Sequence, residues 1–560
     1  MAGLLTRIAG ALRGENARHR ADRIAPAPPD PRRAHALNAP FQVPFDAADN
    51  WGQHLAAWQP FLYSADTEIN PYRDQIVSRV RDLVRNDGWA SGAITRTLDN
   101  AVGVNLRPVA KPDYRALAEL SGNKAFDAHW AREFGAALDA RWRLWANCPD
   151  NWNDAERMLS FGQQMHLAFR HLLIDGDALA ILPWDEASVG YGRARYATTV
   201  QIIDPDRLSN PNMMMDLRFV RGGVEINDRG VPQAYFIRKA HQADWYNAAQ
   251  SVEWERIPRE TSWGRRQVVH MFEHHRAAQH RGGAGMLTPV VQRLKMLIKY
   301  DGSELDAAII NSVFAAYIES PFDHQMTAEA LDPGMPNQNM FGARWGQQLE
   351  WNHGRNLSIQ GSRIPMLFPG EKVSTVSAAR PTSNFHDFEK AVLNNVATGA
   401  GMASFQLSND WSDVNYSSAR GALLESWKTL TRRREDFQIG FVSPIRTALI
   451  EEMMEVDDLP LPRDAPDFVE AKYAYARCRW LAPGRGWIDP VAEKQGAILG
   501  MDAGLSTLEA ECAINEGADW EEHLDQRSIE VGAFKERGLP LPEWSGGEPA
   551  SKTKDKPEEE

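Results

Sequence analysis

Residues 409–430 read NDWSDVNYSSARGALLESWKTL, a short polar run followed by an uninterrupted helical pattern. The polar run belongs to a predicted loop at Ser404–Asn415, which contains carboxylates, amides and hydroxyls but neither lysine nor arginine. The apolar spacing after it predicts one helix over Ser417–Glu455, about 58 Å long at 1.5 Å per residue. Ser417 or Ser418 is the expected N-cap, with Tyr416 packing where the helix begins. Such a long helix is unusual in a compact enzyme and typical of an elongated subunit.

Upstream of this run the sequence is first helical. Apolar positions recur at helical spacing over residues 71–102, and an Asn-Asp-Gly sequence interrupts them, which predicts two helices. A further helix is predicted over residues 124–146, where aromatic and apolar residues lie four apart and are expected to form core. A third is expected over residues 154–175, with Asn153 or Asp154 as its N-cap.

The pattern then changes from helices to short strands. A turn signal at Asn227–Gly230 predicts a hairpin, because its glycine can adopt a positive φ. A β-rich region therefore follows the helical one. The expected strands are Ala178–Pro183, Tyr196–Ile203, Val224–Ile226, Ala234–Ile237 and Gln267–Phe272.

Two more helices flank an irregular segment. The first is expected to begin at Thr288 as N-cap, with Pro289 at the first helical position, and to end at Ser320. Residues 321–380 are rich in proline, glycine and amides and lose regular periodicity. The remaining elements expected here are strands near Gln347–Trp351 and Lys372–Val376 and a helix over Phe385–Ala403.

Composition narrows the class of protein. The 560 residues carry a formal charge of −13, whereas proteins that grip duplex DNA usually have a basic surface. That charge fits a conduit that must not hold moving DNA, and it equally fits a protein that never meets nucleic acid. Three widely spaced cysteines argue against a disulfide framework, so a reducing cytosol is the expected assembly site. No apolar run reaches the length of a membrane span, and no membrane association is expected.

Both ends of the chain are expected to be disordered. Residues 1–45 contain seven arginines and a cluster of prolines, which predicts a flexible basic arm that orders on a neighbouring chain or on DNA. This arm lacks the apolar core of a secretory signal. Residues 546–560 are almost entirely polar and are predicted to form a solvated tail.

One motif raises the alternative of an enzyme. Residues 270–274 read HMFEH, the H-x-x-E-H pattern of inverted zinc peptidases, which needs both histidines on one helical face. Residues 267–272 alternate like a strand, which would place His270 and His274 about 13 Å apart. The sequence has neither the phosphate-cradling G-x-x-x-x-G-K-[ST] nor the G-x-S-x-G elbow. We therefore expect no enzyme, with no catalytic residue, cofactor or metal, and keep a zinc-dependent hydrolase as an alternative.

Several local sequences, taken in order, resemble the lambda-type phage portal family. The most specific is Asn415-Tyr416-Ser417-Ser418-Ala419-Arg420, with Asp410 upstream, and the shared order extends over about residues 75–495. One departure is residues 281–286, RGGAGM, which are richer in glycine than the family pattern. The other similar runs lie at residues 81–86, 90–103, 176–177, 203–208, 230–237, 270–276, 279, 281–282, 369–371, 381, 385–388 and 488–490.

The resemblance implies a mainly α portal fold of the α+β class, assembled as a ring that usually has twelve subunits. Each subunit would contain wing, stem, clip and crown parts. The positions implied for them are a wing at 46–285 (helical, then β-rich), stem helices at 286–320 and 381–403, a clip at 321–380, a tunnel loop at 404–416, a long helix and return to the wing at 417–487, and a crown-like helical region at 488–545.

The resemblance also implies a function and partners. The ring would form the channel at one capsid vertex through which double-stranded DNA is packaged and ejected without sequence readout. The implied partners are the terminase large subunit, a head-tail adaptor, and the major capsid and scaffold proteins, in a virion assembled in the bacterial cytoplasm. A non-portal capsid scaffold or other structural protein is the remaining alternative. The residues expected to line the channel are Asn409, Asp410, Trp411, Ser412, Asp413 and Asn415, and those expected at the loop–helix junction and subunit contact are Tyr416, Ser417, Ser418 and Arg420, the last as the partner of a neighbouring carboxylate.

Overall fold

The computed structural model describes residues 47, 54, 55, 57–314, 350, 357–359, 362–364 and 385–541, except Asn105 and Asp413. Its mixture of helix and strand confirms the predicted class at that level. The helices are α1 (Ala65–Ile69), α2 (Arg73–Asn86), α3 (Gly88–Ala101), α4 (Tyr114–Ser121), α5 (Ala128–Ala146), α6 (Phe161–Asp175), α7 (Val291–Phe314), α8 (Phe385–Ala400), α9 (Ser404–Ser408), α10 (Tyr416–Phe437), α11 (Ser443–Val456), α12 (Phe468–Tyr475), α13 (Pro490–Asp502), α14 (Leu508–Glu511) and α15 (Trp520–Glu536). The strands are β1 (Arg107–Ala110), β2 (Asp177–Ile181), β3 (Gln201–Ile202), β4 (Val220–Arg221), β5 (Val224–Ile226), β6 (Pro232–Arg238), β7 (Trp254–Pro258), β8 (Val268–Phe272), β9 (Leu357–Ile359), β10 (Ser362–Ile364) and β11 (Cys478–Leu481).

The first helices separate where the sequence predicts. Asp87 lies between α2 and α3 in an extended conformation, with φ −120° and ψ 127°. Its carboxylate accepts a hydrogen bond of 2.8 Å from the Ala90 N–H, one of the donors that has no partner within α3. One side chain therefore ends the first helix and caps the next, which confirms the predicted break.

The aromatic stripe of α5 forms much of the helical core, as predicted. Its side chains are buried, and its first three rings contact one another in sequence. Centroid distances are 4.7 Å for Phe126–Trp130 and 4.9 Å for Trp130–Phe134. Burial of each such side chain stabilises the fold by about 1.5–3 kcal/mol. The stripe comprises Phe126, which precedes α5, and the α5 residues Trp130, Phe134, Leu138 and Trp142.

The predicted start of α6 is wrong. This helix begins at Phe161 and is capped by Ser160, not by Asn153 or Asp154. The Asp154 carboxylate instead accepts hydrogen bonds from the N–H groups of Met158 and Leu159, both at 2.9 Å. These bonds close a separate turn before the helix starts. The predicted end at Asp175 is confirmed.

The β-rich region contains two antiparallel sheets, with strand orders β3-β2-β8 and β4-β5-β6-β7. The β5–β6 hairpin is confirmed: the Asn227 side chain accepts hydrogen bonds from two turn N–H groups, and Gly230 has φ 78°. The strand predicted over residues 196–203 shortens to β3. The N–H groups of Ala197 and Thr198 donate instead to the Glu452 carboxylate, at 2.6 and 2.9 Å.

Helices α7 and α8 pack together through Tyr300, whose ring lies 5.6 Å from Phe385 and 4.9 Å from Phe388. Thr288 is not the N-cap of α7: it lies inside a 3-10 turn that leads into the helix, and its hydroxyl is buried without a hydrogen-bond partner. The described part of α7 ends at Phe314, so its predicted end lies outside the described residues. The same is true of the strands predicted near 347–351, where only residue 350 is described, and 372–376. Among the residues described there, β9 and β10 pair antiparallel.

The long helix predicted over residues 417–455 is confirmed with one modification. Helical structure is continuous from α10 to α11, but residues 438–442 form a π-turn. Pro444 follows directly and has no N–H to donate to the preceding turn, and helices commonly widen near such a residue. Gly440 lies in the π-turn, where a β-carbon would be 3.3 Å from the Met271 sulfur.

The C-terminal region returns to the first half of the chain. Strand β11 pairs antiparallel with β1, with Arg107 opposite Leu481. Beyond it the chain is helical to α15, as predicted, and neither α13 nor α15 has a buried residue. Among the described helices, none has both the length and the apolar content needed to cross a bilayer.

A fully buried carboxylate, Asp177, joins the helical and β-rich regions. It accepts hydrogen bonds from Arg73 of α2 (3.4 Å), His270 of β8 (2.9 Å), Arg281 (3.2 Å) and the Gly282 N–H (2.8 Å). Burial alone would raise the pKa of Asp177, but the His270 hydrogen bond and the two arginine charges outweigh it and hold the pKa well below its usual range. Burial lowers the pKa of Arg281 to about 10, so this partner remains cationic at neutral pH.

The glycine-rich segment after Arg281 fits against the end of α6. A β-carbon on Gly282 would lie 2.0 Å from the Gly176 carbonyl oxygen, and one on Gly285 would lie 2.2 Å from the Ile174 carbonyl oxygen. Gly283 has φ 153° and passes beside Arg73. The extra glycines that depart from the family pattern therefore allow a close approach between backbones that residues with a β-carbon would prevent.

We predict that Asp177→Asn lowers the free energy of unfolding by about 3–5 kcal/mol, because it leaves the buried charge of Arg281 without its ion-pair partner and removes one of the partners of Arg73. Urea unfolding followed by tryptophan fluorescence measures this. Asp228→Asn is the matched control: its ion pair with Arg218 is about 80% exposed on both sides and should be worth less than about 1 kcal/mol. Equal effects of the two substitutions would contradict the central role of Asp177.

Stability should also depend on pH through the same network. The pKa values of Asp175, Asp177 and Asp206 are all lowered, because the hydrogen bonds and charges of neighbouring histidine and arginine side chains outweigh burial. Their stabilisation is present above the unfolded pKa of about 4 and is lost as the pH falls below it. We expect the melting temperature to change little from pH 7 to pH 5 and to fall steeply below pH 4, with a shallower fall in Asp177→Asn. An equally steep fall in that variant would exclude Asp177 as a cause.

Candidate functional site

The predicted loop is partly helical. Residues 404–408 form α9, with Phe405 and Leu407 buried, so the loop proper is residues 409–415. The guanidinium of Arg96 donates to the Leu407 carbonyl oxygen and attaches α9 to α3. The sequence of α9 contains no strong helix signal, and burial of its two apolar side chains explains why it folds here.

Hydrogen bonds between near neighbours fix the first half of the loop. Asn409 adopts the left-handed conformation, φ 56°, and ends α9. The Asp410 carboxylate accepts hydrogen bonds from the Ser412 N–H (3.0 Å) and hydroxyl (2.6 Å). The Trp411 ring lies 4.7 Å from that of Phe405, yet about half of Trp411 is exposed. The loop therefore presents a fixed polar surface.

The exposed carboxylate of Asp410 is ionised at neutral pH. The hydrogen bond from the Ser412 hydroxyl lowers the pKa of Asp410, and the Ser412 N–H adds to this effect. Asp413, the other predicted acidic residue of the loop, lies outside the described residues.

The junction with α10 is a reciprocal cap, but not the predicted one. Asn415 is the N-cap: its side chain accepts from the Ser418 N–H at 2.9 Å, and the Ser418 hydroxyl accepts from the Asn415 N–H at 3.1 Å. Ser418 is thus the third residue of the helix. Ser417 is exposed and does not cap, and Tyr416 is about half exposed.

Arg420 contacts a carboxylate, as the sequence suggested. Its Nε lies 3.9 Å from an oxygen of Glu493, a nearly buried residue of α13. The contact links the first turns of α10 to the C-terminal helices. Asn409, Asp410, Trp411, Ser412 and Asn415 thus lie together on the loop, and Arg420 lies one turn into the following helix.

Sequence analysis missed three consecutive arginines that anchor the far end of α10. Arg432 lies 3.1 Å from Glu273, Arg433 donates to the Ala400 carbonyl oxygen at the end of α8, and Arg434 donates to the carbonyl oxygens of Asn100 and Ala101 at the end of α3. Burial lowers the pKa of Arg434 to about 10. Three successive residues span about 200° of a helix surface, so they cannot all face solvent on one side. This spacing was the sequence signal that at least one of the three arginines packs against the protein.

The H-x-x-E-H histidines are not brought together on one helical face. His270 lies on β8 with its Nε2 bonded to Asp177, whereas His274 lies beyond the strand and stacks on Phe272 at 4.3 Å. Burial lowers the pKa of His274. The motif therefore lacks the geometry that a zinc peptidase requires.

The described residues bring three potential metal ligands together elsewhere. Oxygen and nitrogen atoms of Asp204, Asp206 and His241 lie within 4.8 Å of one another. Arg73 and Arg81 already pair with these carboxylates, at 2.7–3.1 Å. The arrangement is an ion-pair network between α2 and the β-rich region.

Comparison with known proteins gives one consistent result. The sequence family described as phage portal protein, lambda family, matches residues 52–434. The chain is 30% identical to the portal protein of Escherichia phage N15 over 498 residues, covering 88% of this chain and 91% of that one. It is also 30% identical to portal protein B of Escherichia phage lambda over 513 residues, covering 91% and 93%. A chain from the neck of an empty GTA particle is similar in structure with a TM-score of 0.34 and 13% identity, covering 77% of this chain and 90% of that one.

We predict that Asn415→Ala destabilises the first turn of α10 by about 1 kcal/mol, because a helix N–H loses its acceptor. Hydrogen exchange of the amides in residues 416–419, followed by mass spectrometry, should become about five-fold faster. Asn415→Ser keeps an acceptor and should exchange almost as slowly as the unsubstituted chain. Unchanged exchange in the alanine variant would exclude the cap.

Proposed function

The chain belongs to the lambda family of phage portal proteins, and from this premise we propose that twelve copies close into a ring whose channel conducts double-stranded DNA into and out of the capsid. The family match over residues 52–434, with 30% identity to two portal proteins across about nine-tenths of the chain, carries this proposal. It disfavours a non-portal capsid scaffold. The portal family is structural, and we propose that this chain likewise has no catalytic activity. The separation of His270 and His274 supports this proposal.

The parts of the ring are proposed from element order. We assign the wing to residues 46–285, the stem to 286–320 and 381–403, and the clip to 321–380. Residues 417–487, the long helix and the segment after it, would return to the wing, and residues 488–545 would form the crown. Support comes from the helical-then-β order of the first part and from the pairing of α7 with α8.

The loop at 404–416 is proposed to approach DNA in the channel. Asn409–Asn415 contains no cation, and Asp410 adds a fixed negative charge. A phosphate backbone is repelled by such a surface rather than held by it, which suits a duplex that must keep moving. The anchoring of α10 by Arg433 and Arg434 would hold the loop in a constant position while DNA passes.

Contacts between copies and with partners complete the proposal. Met296 and Leu305 on α7 are more than half exposed, which suits packing against the next subunit. We propose that the clip binds the head-tail adaptor, and that the ring receives the terminase large subunit and contacts the major capsid and scaffold proteins. The virion would be assembled in the bacterial cytoplasm.

The ring is tested by negative-stain microscopy of the purified full-length chain. We expect closed rings with a central channel wide enough to admit a DNA duplex. Mass photometry of the same sample should give twelve times the mass of one chain. Monomers, filaments or discs without a channel would contradict the proposal.

The loop is tested by substituting Asp410 and Asp413 with lysine. We expect intact rings and impaired DNA packaging, because lysines would bind phosphates of the moving duplex. Glu133→Lys, which adds a positive charge at an exposed position of α5, is the control and should package normally. Unchanged packaging in the double variant would remove the loop from the mechanism.

A further inference from the structure

A groove between β7 and α11 has the characteristics of a peptide-binding surface. Its volume is 880 Å³, and its apolar lining includes Trp184, Ile257, Trp263 and Val456. We propose that this β7–α11 groove binds the arginine- and proline-rich residues 1–40 of another copy of the chain, as an extended peptide. The inference rests on the proposed ring in one respect: a ring places the groove of one copy near residues 1–40 of another.

The aromatic side chains of the groove are exposed yet fixed. Trp184, Trp263 and Val456 are each between 53% and 56% exposed. The Trp263 indole N–H donates to Glu451 at 2.7 Å, and the guanidinium of Arg265 stacks 5.0 Å from the centre of the Trp184 ring. Large apolar surfaces held in place while facing solvent are typical of binding sites, because little side-chain freedom is left to lose.

The rim of the groove carries two exposed carboxylates outside the ion pairs of the described residues, with the charges of Arg207 and Lys239 acting on one of them, Glu255, at longer range. Glu255 on β7 and Glu455 on α11 are exposed, and within the described part of the chain neither has an ion-pair partner. Glu451 differs from them, because it lies 3.5 Å from Arg265. Both cations of the groove wall are paired, Arg265 with Glu451 and Arg256 with Glu225 at 2.7 Å. The groove therefore offers negative charge to a ligand.

The shape of the groove favours an extended ligand. Strand β7 lies at the edge of the β4-β5-β6-β7 sheet, and edge strands present backbone groups that another extended chain can pair with. Extended proline-rich segments also bind to grooves lined by aromatic rings. Arginine side chains stack on tryptophan rings. The expected ligand is thus an extended segment with arginines and prolines.

The chain itself contains such a segment. Residues 1–40 have seven arginines against three acidic residues, and five prolines at positions 26, 28, 29, 31 and 40. This gives the segment a formal charge of +4, while the rest of the chain carries −17. Forty extended residues reach at most about 140 Å, enough to span to a neighbouring copy. Charge and composition both match the groove.

The test uses the full-length chain with the photoreactive amino acid p-benzoylphenylalanine at position 24. Equal amounts of nitrogen-15-labelled and unlabelled copies are assembled together, irradiated and analysed by mass spectrometry. We expect cross-links that join a labelled and an unlabelled peptide and contain Trp184, Trp263 or Val456. Cross-links within one copy only, or at other surfaces, would overturn the proposal.

A charge-swap series separates binding from misfolding. Glu255→Lys with Glu455→Lys should lower the cross-link yield at least about three-fold, as expected for two exposed ion pairs. Glu133→Lys with Asp228→Lys, exposed acids on other surfaces, is the matched control and should leave the yield unchanged. Replacing Arg18, Arg20 and Arg23 with glutamate in the groove variant should restore the yield. No loss in the groove variant, or no rescue, would contradict the proposal.

Microscopy and added DNA distinguish the remaining outcomes. Rings that lack the cross-link would overturn this inference alone, and the cross-link without rings would overturn the proposed assembly alone. Loss of both would overturn both. If residues 1–40 cross-link to added duplex DNA in place of the groove, their ligand is nucleic acid and the inference is wrong.

Discussion

The buried carboxylate of Asp177 is the interaction on which the arrangement of this chain depends. It receives hydrogen bonds from α2, from β8 and from the segment that leads into α7, and so joins three parts that are distant in sequence. Arg281 also donates to the carbonyl oxygens of Leu208 and Gly222, which extends the network across the β-rich region. Removing one member leaves buried charge uncompensated, so the parts are held in one relative position.

That constraint reaches the loop of residues 409–415 through the helices. The glycine-rich segment after Arg281 sets the start of α7, and α7 packs against α8 through Tyr300. The end of α8 accepts a hydrogen bond from Arg433 of α10, and α10 begins at the Asn415 cap. The loop of residues 409–415 is therefore supported on both sides by anchored helices. A loop held in this way suits a portal channel, where each copy must present the same surface to passing DNA.

Local signals made much of this fold predictable from sequence. The stripe from Phe126 to Trp142, the break at Asp87 and the long helix after Asn415 each depend on residues close in sequence. One failure depends on a distant residue: Glu452 takes the N–H groups of Ala197 and Thr198 and shortens β3. The first part of the predicted loop, α9, was missed because it depends on burial of Phe405, whereas the cap was misassigned although the Asn415–Ser418 exchange joins residues only three apart.

The central claim is that a ring of these chains presents residues 409–415 to DNA. Cryo-electron microscopy of assembled rings with duplex DNA in the channel tests it most directly. The account predicts that the loops of all copies form the narrowest part of the channel, with Asp410 facing the phosphate backbone. Loops located on the outer surface of the ring, or a channel lined at its narrowest point by other residues, would contradict it.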